Sequence, residues 1–170
     1  MKKLIFFVGV LTISFSAFGQ FHAGINAAGL FPLSTMNNLV DFGYGPVVET
    51  GYQFKNQMDV SIGYEHLFFN SMLPDHVQKS GFADIKYGLK RRGNIPYAGL
   101  RTSYIHSSHQ IMGDTTLKGE NLGLSPFAGI LFESAIFDQL NFDTRFSYTK
   151  IFNKQKHQYL KVEIGLRYDF

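Results

Sequence analysis

The sequence lacks cysteine and tryptophan altogether and has only five prolines among its 170 residues. Without cysteine there is no disulfide framework, so the stability of an exported chain has to come from the fold itself. Beyond the first twenty residues no helical periodicity is sustained, which argues against a helical domain. Glycine, with 17 residues, and aromatic residues, at 16%, are abundant instead. This composition is typical of a protein made of many strands and turns.

The first twenty residues, MKKLIFFVGVLTISFSAFGQ, are predicted to contain a signal peptide. Two lysines are followed by an apolar run that begins at Leu4, and the stretch ends in Ala17-Phe18-Gly19. A charged start, an apolar centre and small residues at the cleavage site are the parts of a secretory signal peptide. The run is too short, and too interrupted by serine and threonine, for a membrane-spanning helix, although an uncleaved anchor is the alternative. We expect residues 1–19 to be removed and residues 20–170 to form one exported domain.

The charge balance and the short motifs give no reason to expect a nucleic-acid partner or a cofactor. The formal net charge is +3, and the two lysines of the signal peptide account for two of these charges, which leaves +1. A nucleic-acid-binding domain would need a basic surface. The sequence contains no phosphate-binding loop, dinucleotide fingerprint, nucleophile elbow or calcium loop.

Apolar and polar residues alternate in eight segments, and a period of two is the period of a β-strand. The clearest segment is the last, in which every second residue from Leu160 to Phe170 is apolar. Short connections alternate with longer polar ones, as the periplasmic turns and extracellular loops of an even-stranded membrane barrel do. The predicted strands are 21–31, 42–54, 58–69, 81–90, 95–106, 120–133, 140–150 and 160–170.

Alternation alone does not say which face is inside, and a periplasmic lipocalin-like binder would have its apolar rows inward. Three features favour the opposite orientation. Ten glycines fall in the polar rows, where they would make room in a narrow lumen; aromatic residues cluster at strand ends; and no charged residue stands in the middle of an apolar row. A lipid-facing charge at the bilayer midplane would cost roughly 2–4 kcal/mol. The sequence therefore predicts an all-β fold, an eight-stranded antiparallel up-and-down transmembrane β-barrel whose last strand pairs with the first.

The ending GLRYDF resembles the C-terminal strand of bacterial outer-membrane barrels, with Gly165, Tyr168 and Phe170 at the matching positions and Ile164 where that family has a polar residue. The stretches IPYAGLRTSYIHSS and LGLSPFAGILFES resemble the small OmpA/OmpX-type barrel-domain families. The resemblance implies a location in the outer membrane of a Gram-negative bacterium and a monomer in contact with outer-membrane lipids. It also implies that the barrel assembly machinery and periplasmic chaperones handle the chain, and that the three matching residues form its assembly signal.

The polar rows carry seven acidic and six basic residues that are expected to face the lumen. Charges buried in so narrow a tube have to be paired and hydrogen-bonded, because an isolated one costs several kcal/mol. We predict a salt-bridged plug that fills the lumen, with a proton or small-ion path as the alternative. The residues are Glu49, Glu65, Asp84, Glu133, Asp143, Glu163 and Asp169, and Lys86, Lys90, Arg101, Arg145, Lys161 and Arg167.

The six histidines are not predicted to bind a metal. His106 and His109 are three residues apart, and on a strand such positions point to opposite faces. The others are scattered over predicted strand ends and loops, where solvated histidines are expected, and neither cysteine nor an HExxH helix supports a zinc site. These are His22, His66, His76 and His157.

One hairpin carries a possible catalytic set. His106, Ser108 and Glu120 all have even numbers, which places them on the outward face of two neighbouring predicted strands. Their spacing resembles that of the outer-membrane lipid A 3-O-deacylase family, and by that resemblance they would be base, nucleophile and orienting carboxylate. That family has asparagine where this chain has His109, and its catalytic pair lies in the last hairpin. The favoured prediction is a structural or surface-interaction role without enzymatic activity, with the esterase as the alternative.

Overall fold

The computed structural model describes residues 19–33, 41–70, 76–89, 94–110, 116–134, 137, 139–153 and 157–170. The predicted signal peptide, apart from its last residue, lies outside this range, and so does Lys90. No helix in the described part of the chain is long and apolar enough to cross a membrane.

Eight strands form one closed barrel, and each strand is antiparallel to both of its neighbours. The seam is closed by the first and last strands, where Ile25 lies opposite Leu166 and the backbone N–H of Phe170 donates to the carbonyl of Phe21 at 2.9 Å. The predicted fold is therefore confirmed. The strands are β1 (Gly19–Leu33), β2 (Phe42–Phe54), β3 (Met58–Asn70), β4 (His76–Gly88), β5 (Asn94–Gln110), β6 (Thr116–Glu133), β7 (Leu140–Phe152) and β8 (Gln158–Asp169).

The predicted bounds were wrong at the outer end of the barrel. β5 runs to Gln110 and β6 starts at Thr116, whereas the sequence suggested a loop over 107–119. β4 likewise starts at His76, five residues earlier than predicted. These extensions have few apolar residues on either face, so they show no alternation. Backbone pairing does not require such a pattern and simply continues along the hairpin.

The apolar rows face outward, as predicted. Ile25, Ile62, Ile85 and Leu122 expose 59%, 61%, 60% and 62% of their surface. Around the outer end of β1 to β3, aromatic rings contact one another in a partial girdle, with centroid distances between 5.2 and 6.3 Å for Phe31, Phe42, Tyr44 and Phe68. An exterior with apolar sides and aromatic ends is the exterior of a membrane-spanning barrel.

The interior has an apolar layer that the sequence analysis did not predict. It lies in the extracellular half of the lumen, and Leu30, Val47, Leu67, Ile105 and Tyr159 in it are at most 1% exposed. A smaller apolar cluster, formed by Tyr97, Phe127 and Leu131, lies in the periplasmic half. The charged side chains occupy the space between these two clusters and the space on the periplasmic side of the smaller one. The inward side chains of the described strands thus form polar and apolar layers in turn.

Two positions show why the inward polar rows contain so many glycines: a larger residue there would overlap its neighbours. A Cβ at Gly165 would lie 2.0 Å from Asn26 Oδ1 and 2.1 Å from the Ile25 carbonyl oxygen, so any larger residue would push β1 and β8 apart. A Cβ at Gly63 would lie 2.3 Å from the ring of Phe82. Glycine at these positions lets large neighbours fold across a narrow lumen.

Candidate functional sites in the lumen and on the outer hairpin

Arg101 is at the centre of the lumen and is 2% exposed. Its Nε and Nη2 atoms donate to Asp84 Oδ1 and Oδ2, both at 2.8 Å, and its Nη1 donates to Glu163 Oε1 at 2.9 Å. The guanidinium carbon lies 3.6 Å from the ring centroid of Phe82, which covers one face of the cation. A bidentate bond to one carboxylate and a bond to a second are the strong, planar contacts that buried arginine makes.

Arg145 approaches the same centre from β7. Its Nη1 and Nη2 atoms donate to Glu49 at 3.1 Å each, and Nη1 also donates to Asp84 Oδ2 at 3.1 Å. Nη2 donates to Asp143 at 3.2 Å. The Tyr97 hydroxyl accepts from Arg145 Nε at 3.2 Å and donates to Asp143 Oδ1 at 2.5 Å. Asp84 is therefore shared by both arginines, which joins five strands in one network.

Lys161 extends this network toward the extracellular side. Its Nζ atom lies 2.5 Å from Glu65 Oε2 and 2.8 Å from Glu163 Oε1. Ser80 Oγ donates to the other oxygen of Glu65 at 2.6 Å. Both carboxylates are thus held on two sides directly beneath the apolar layer.

The periplasmic part of the network is built around Asp59. Arg167 Nη1 donates to Asp59 Oδ2 at 2.9 Å, and Arg167 Nε donates to Asp169 Oδ1 at 2.6 Å. Lys86 Nζ lies 3.4 Å from Glu49 and 3.8 Å from Asp59, which connects this part to the centre. His22 Nε2 lies 3.0 Å from Asp59 Oδ2, and the imidazole is fully buried.

His22 corrects the sequence analysis, which expected a solvated residue, and Asp59 was omitted from the predicted network. The parity signal for Asp59 was present, since it precedes the outward Val60 in β3. For His22 the signal was weaker because the predicted strand started at Phe21, so His22 was its second residue. A histidine at a strand end is usually solvated. Its burial depends on Gly51, whose missing side chain leaves room for the imidazole, as a Cβ there would lie 2.6 Å from His22 Nε2.

The other predicted lumen residues divide clearly. Of the thirteen predicted, Lys90 is outside the described residues and eleven lie inside the barrel, ten of them at most 5% exposed and Asp169 9% exposed. Glu133 is the exception: it is exposed at the periplasmic rim, because it is the last residue of β6. Parity assigns a face to a residue but not a depth, so a residue at the end of a strand can reach water.

On the outer hairpin, His106, Ser108 and Glu120 share the outward face. His106 and Glu120 are direct partners across β5 and β6, and Nδ1 lies 3.8 Å from Oε1. Ser108 lies two residues further along and faces Val77 and Lys118. No hydrogen bond among the described residues joins its hydroxyl to His106. An activated serine needs its base at about 2.6–3.2 Å, so the structure brings base and carboxylate near each other but leaves the nucleophile apart.

The C-terminal residues lie at the periplasmic boundary. Tyr168 and Phe170 both point outward with ring centroids 5.0 Å apart, and Phe170 is 70% exposed. The Tyr168 hydroxyl donates to the side-chain oxygen of Gln139. Together with Gly165 at the seam, these residues form an exposed aromatic end on the closing strand.

Among the described residues no group of three or more histidine or acidic side chains is arranged to hold a metal ion.

No protein-family model matches the sequence, and no curated protein matches it. Solved structures do match. Neisserial surface protein A (NspA) superposes with a TM-score of 0.73 at 19% identity, covering 88% of this chain and 97% of NspA. OprG from Pseudomonas aeruginosa gives 0.67 at 14% identity, covering 89% and 96%. Ail, the attachment invasion locus protein of Yersinia pestis, gives 0.66 at 17% identity, covering 89% and 99%.

The chain has the fold of the small eight-stranded outer-membrane barrels. At these identities the likeness establishes the architecture. The evidence that the barrel lies in a membrane comes from the exterior of this chain. A closed barrel with apolar sides and aromatic ends is stable in lipid, where every backbone group is paired within the sheet. The protein is located in the outer membrane of a Gram-negative bacterium, as the sequence predicted.

Proposed function

We propose that the protein is a closed barrel that conducts nothing larger than water or small ions and presents its outer loops for surface interaction. It would act as a monomer, delivered by periplasmic chaperones and inserted by the barrel assembly machinery. The observation that carries the first part is the pair of buried arginines, Arg101 and Arg145, which cross the lumen. The observation that carries the second part is the length of the β5–β6 hairpin.

The arginines block the lumen because each of them bonds to carboxylates on other strands. Arg101 extends from β5 to Asp84 on β4 and Glu163 on β8, and Arg145 extends from β7 to Glu49 on β2. A solute could pass only by breaking several of these contacts at once. Above them lies the apolar layer, in which Leu30, Val47, Leu67 and Ile105 offer no polar atom to replace the hydration shell of an ion. Eight-stranded barrels are generally just wide enough for their own side chains to fill.

The two strands of the β5–β6 hairpin are longer than the other six strands. β5 and β6 have 17 and 18 residues, against 12 to 15 for the remaining six. The four residues of β5 beyond His106 add about 13 Å at about 3.3 Å per residue. Among the described strands, the two of this hairpin therefore extend furthest on the side where membrane barrels carry their extracellular loops. Ail, one of the similar structures, is an attachment invasion locus protein, and attachment is the class of role proposed here.

Planar-bilayer recording tests the closed lumen. The refolded protein should give no stable conductance steps under conditions in which a general porin does. Steps of porin size would show that the arginine network opens in a membrane, and this part of the proposal would then be wrong.

Cell adhesion tests the surface role. A Gram-negative host that expresses the chain should bind cultured epithelial monolayers better than the same host with an empty vector. Replacing residues 109–117 with an Asn-Gly turn, which shortens the hairpin while keeping Ser108 and Lys118 paired, should remove that gain. Replacing residues 154–156 in the β7–β8 connection with Gly-Ser-Gly is the matched control and should retain it. Equal adhesion by the shortened variant and the parent would leave a purely structural role.

A further inference from the structure

Four polar side chains lie side by side on the lipid-facing surface near the outer ends of β3 to β6. His66 is the register partner of Lys79, Lys79 of His106, and His106 of Glu120. We refer to these four residues as the polar row. All four belong to the outward parity, which is mostly apolar elsewhere on the barrel, with Lys150 on β7 as a further outward cation. On β1 to β3 the same end of the barrel carries the aromatic rings described above, and the ring of His66 packs 4.6 Å from that of Phe68, where the girdle ends.

Lys79 is the distinctive member of the row. It is exposed, and no carboxylate among the described residues lies within ion-pair distance of it. Its neighbours on both sides are imidazoles, which can donate an N–H whether neutral or charged. The one carboxylate of the row, Glu120, lies two strands away and faces His106 at 3.8 Å. The row therefore presents a fixed cation and two donors outward, with its negative charge at one end.

Directly below the polar row the barrel surface has a shallow hollow. Its floor is made of small outward residues, Gly81, Ala83 and Thr102. Gly81 is open to the outside, since a Cβ placed on it would meet no atom within 4 Å. Large apolar side chains form the walls of the hollow, namely Tyr104, Leu122, Leu124 and Phe152. A row of donors above an apolar hollow matches the layout of a lipid, with its headgroup above and a chain below.

We propose that this surface binds one phosphorylated lipid of the outer leaflet. A phosphate oxygen bonds to Lys79 Nζ, with the imidazoles of His66 and His106 as further donors, and one acyl chain lies in the hollow over Gly81. Lysine at a membrane boundary attracts anionic headgroups, and its stem can lie along apolar surface. The phosphate of a zwitterionic lipid already has a cation of its own beside it and should therefore bind Lys79 less tightly, and a free phosphate would not occupy the hollow.

Native mass spectrometry of the detergent-refolded, full mature chain tests the site with defined lipids. Hexa-acyl diphosphoryl lipid A should give a one-to-one adduct, and phosphatidylcholine and dephosphorylated lipid A should give at least about tenfold less. Lys79→Gln should reduce the lipid A adduct by at least about tenfold, because it removes the phosphate partner. Gly81→Leu should reduce it severalfold, because leucine occupies the hollow, and the Cβ at this position meets no protein atom within 4 Å.

Two control variants make the result specific. Lys55→Gln changes a lysine in the turn at the opposite end of the barrel, and Ala98→Leu adds bulk to an outward position near the periplasmic end of β5. Both should retain the adduct, and a heat-modifiable gel band verifies folding of every variant. If Lys79→Gln binds as the parent does, or if phosphatidylcholine binds equally well, the proposal is wrong. Should Gly81→Leu fail to fold, the Lys79→Gln comparison alone decides. The outcome does not depend on whether the hairpin mediates adhesion.

Discussion

Asp84 and Arg101 lie opposite each other on β4 and β5, and Arg101 bonds to both carboxylate oxygens at 2.8 Å. The pair is therefore formed within one hairpin. Asp84 also accepts a bond from Arg145, which in turn contacts Glu49, 96 residues away in the chain. A local pair thus anchors contacts that cross the whole lumen, and the following predictions concern what depends on them.

Arg145→Ala should destabilise the barrel strongly. The substitution leaves Glu49 and Asp143 buried with fewer cations, and removing one partner from a buried ion pair costs roughly 3–5 kcal/mol. Urea unfolding in detergent micelles, followed by circular dichroism, measures this loss of unfolding free energy. Lys150→Ala, at an exposed outward position near the end of β7, is the control and should unfold like the parent. A similar small effect for both variants would mean that water screens the lumen charges.

Gly165→Ala should prevent the barrel from closing, whereas Gly81→Ala should be tolerated. The added methyl at Gly165 would overlap Asn26 and the Ile25 backbone, and the one at Gly81 would meet open space. Refolding of purified protein into detergent, assayed as the heat-modifiable fraction, compares the two without any cellular factor. If both variants refold equally, β1 and β8 can separate enough to accept a side chain at the seam.

Phe170→Ala should separate folding from assembly. Phe170 is 70% exposed, and its contribution to the seam is a backbone bond to Phe21 that alanine keeps. Refolding in detergent should therefore be unchanged. In cells the amount of protein in the outer membrane should fall severalfold, because the proposed assembly signal loses its terminal aromatic. Equal membrane levels would mean that the machinery does not read this residue.

The outer hairpin should not deacylate lipid A. Ser108 has no hydrogen bond to His106 among the described residues, so a nucleophile without its base is expected to be inactive. Mass spectrometry of lipid A from cells that express the parent or Ser108→Ala should give identical spectra. Loss of one ester-linked acyl chain in the parent alone would make the protein an enzyme.

The exterior of the barrel could be predicted from the sequence because lipid imposes a strict rule on it. Outward residues such as Ile62 and Ile85 have to be apolar, and they alternate with inward ones at a period of two. The same rule identified eleven of the twelve buried acidic and basic residues in the described part of the chain by parity alone, and Asp59 was the one omitted. It could not identify Glu133 as exposed, because parity carries no information on depth.

The interior was harder to predict, because the lumen accepts both polar and apolar side chains. Leu30, Val47, Leu67 and Ile105 point inward, and each has an exposed apolar or aromatic residue directly beside it in the chain (Phe31, Val48, Phe68 and Tyr104), so the alternation of polar and apolar residues is lost where they occur. Contacts such as His22 with Asp59 join strands β1 and β3, which are not neighbours. Their partners depend on side-chain length and on the room left by glycines, and no pattern along one strand contains that information.

The partners in the charge network are far apart in the chain, and this separation also determines at which stage of folding water leaves the lumen. Arg145 and Glu49 come together across 96 residues, and the seam joins the first strand to the last. Contacts this distant cost loop-closure entropy before they contribute energy, so folds that depend on them form slowly. While the sheet is still open, each inward charge keeps its water. We expect the barrel to insert as a hydrated, curved sheet and to expel that water in a single late step, when β1 reaches β8.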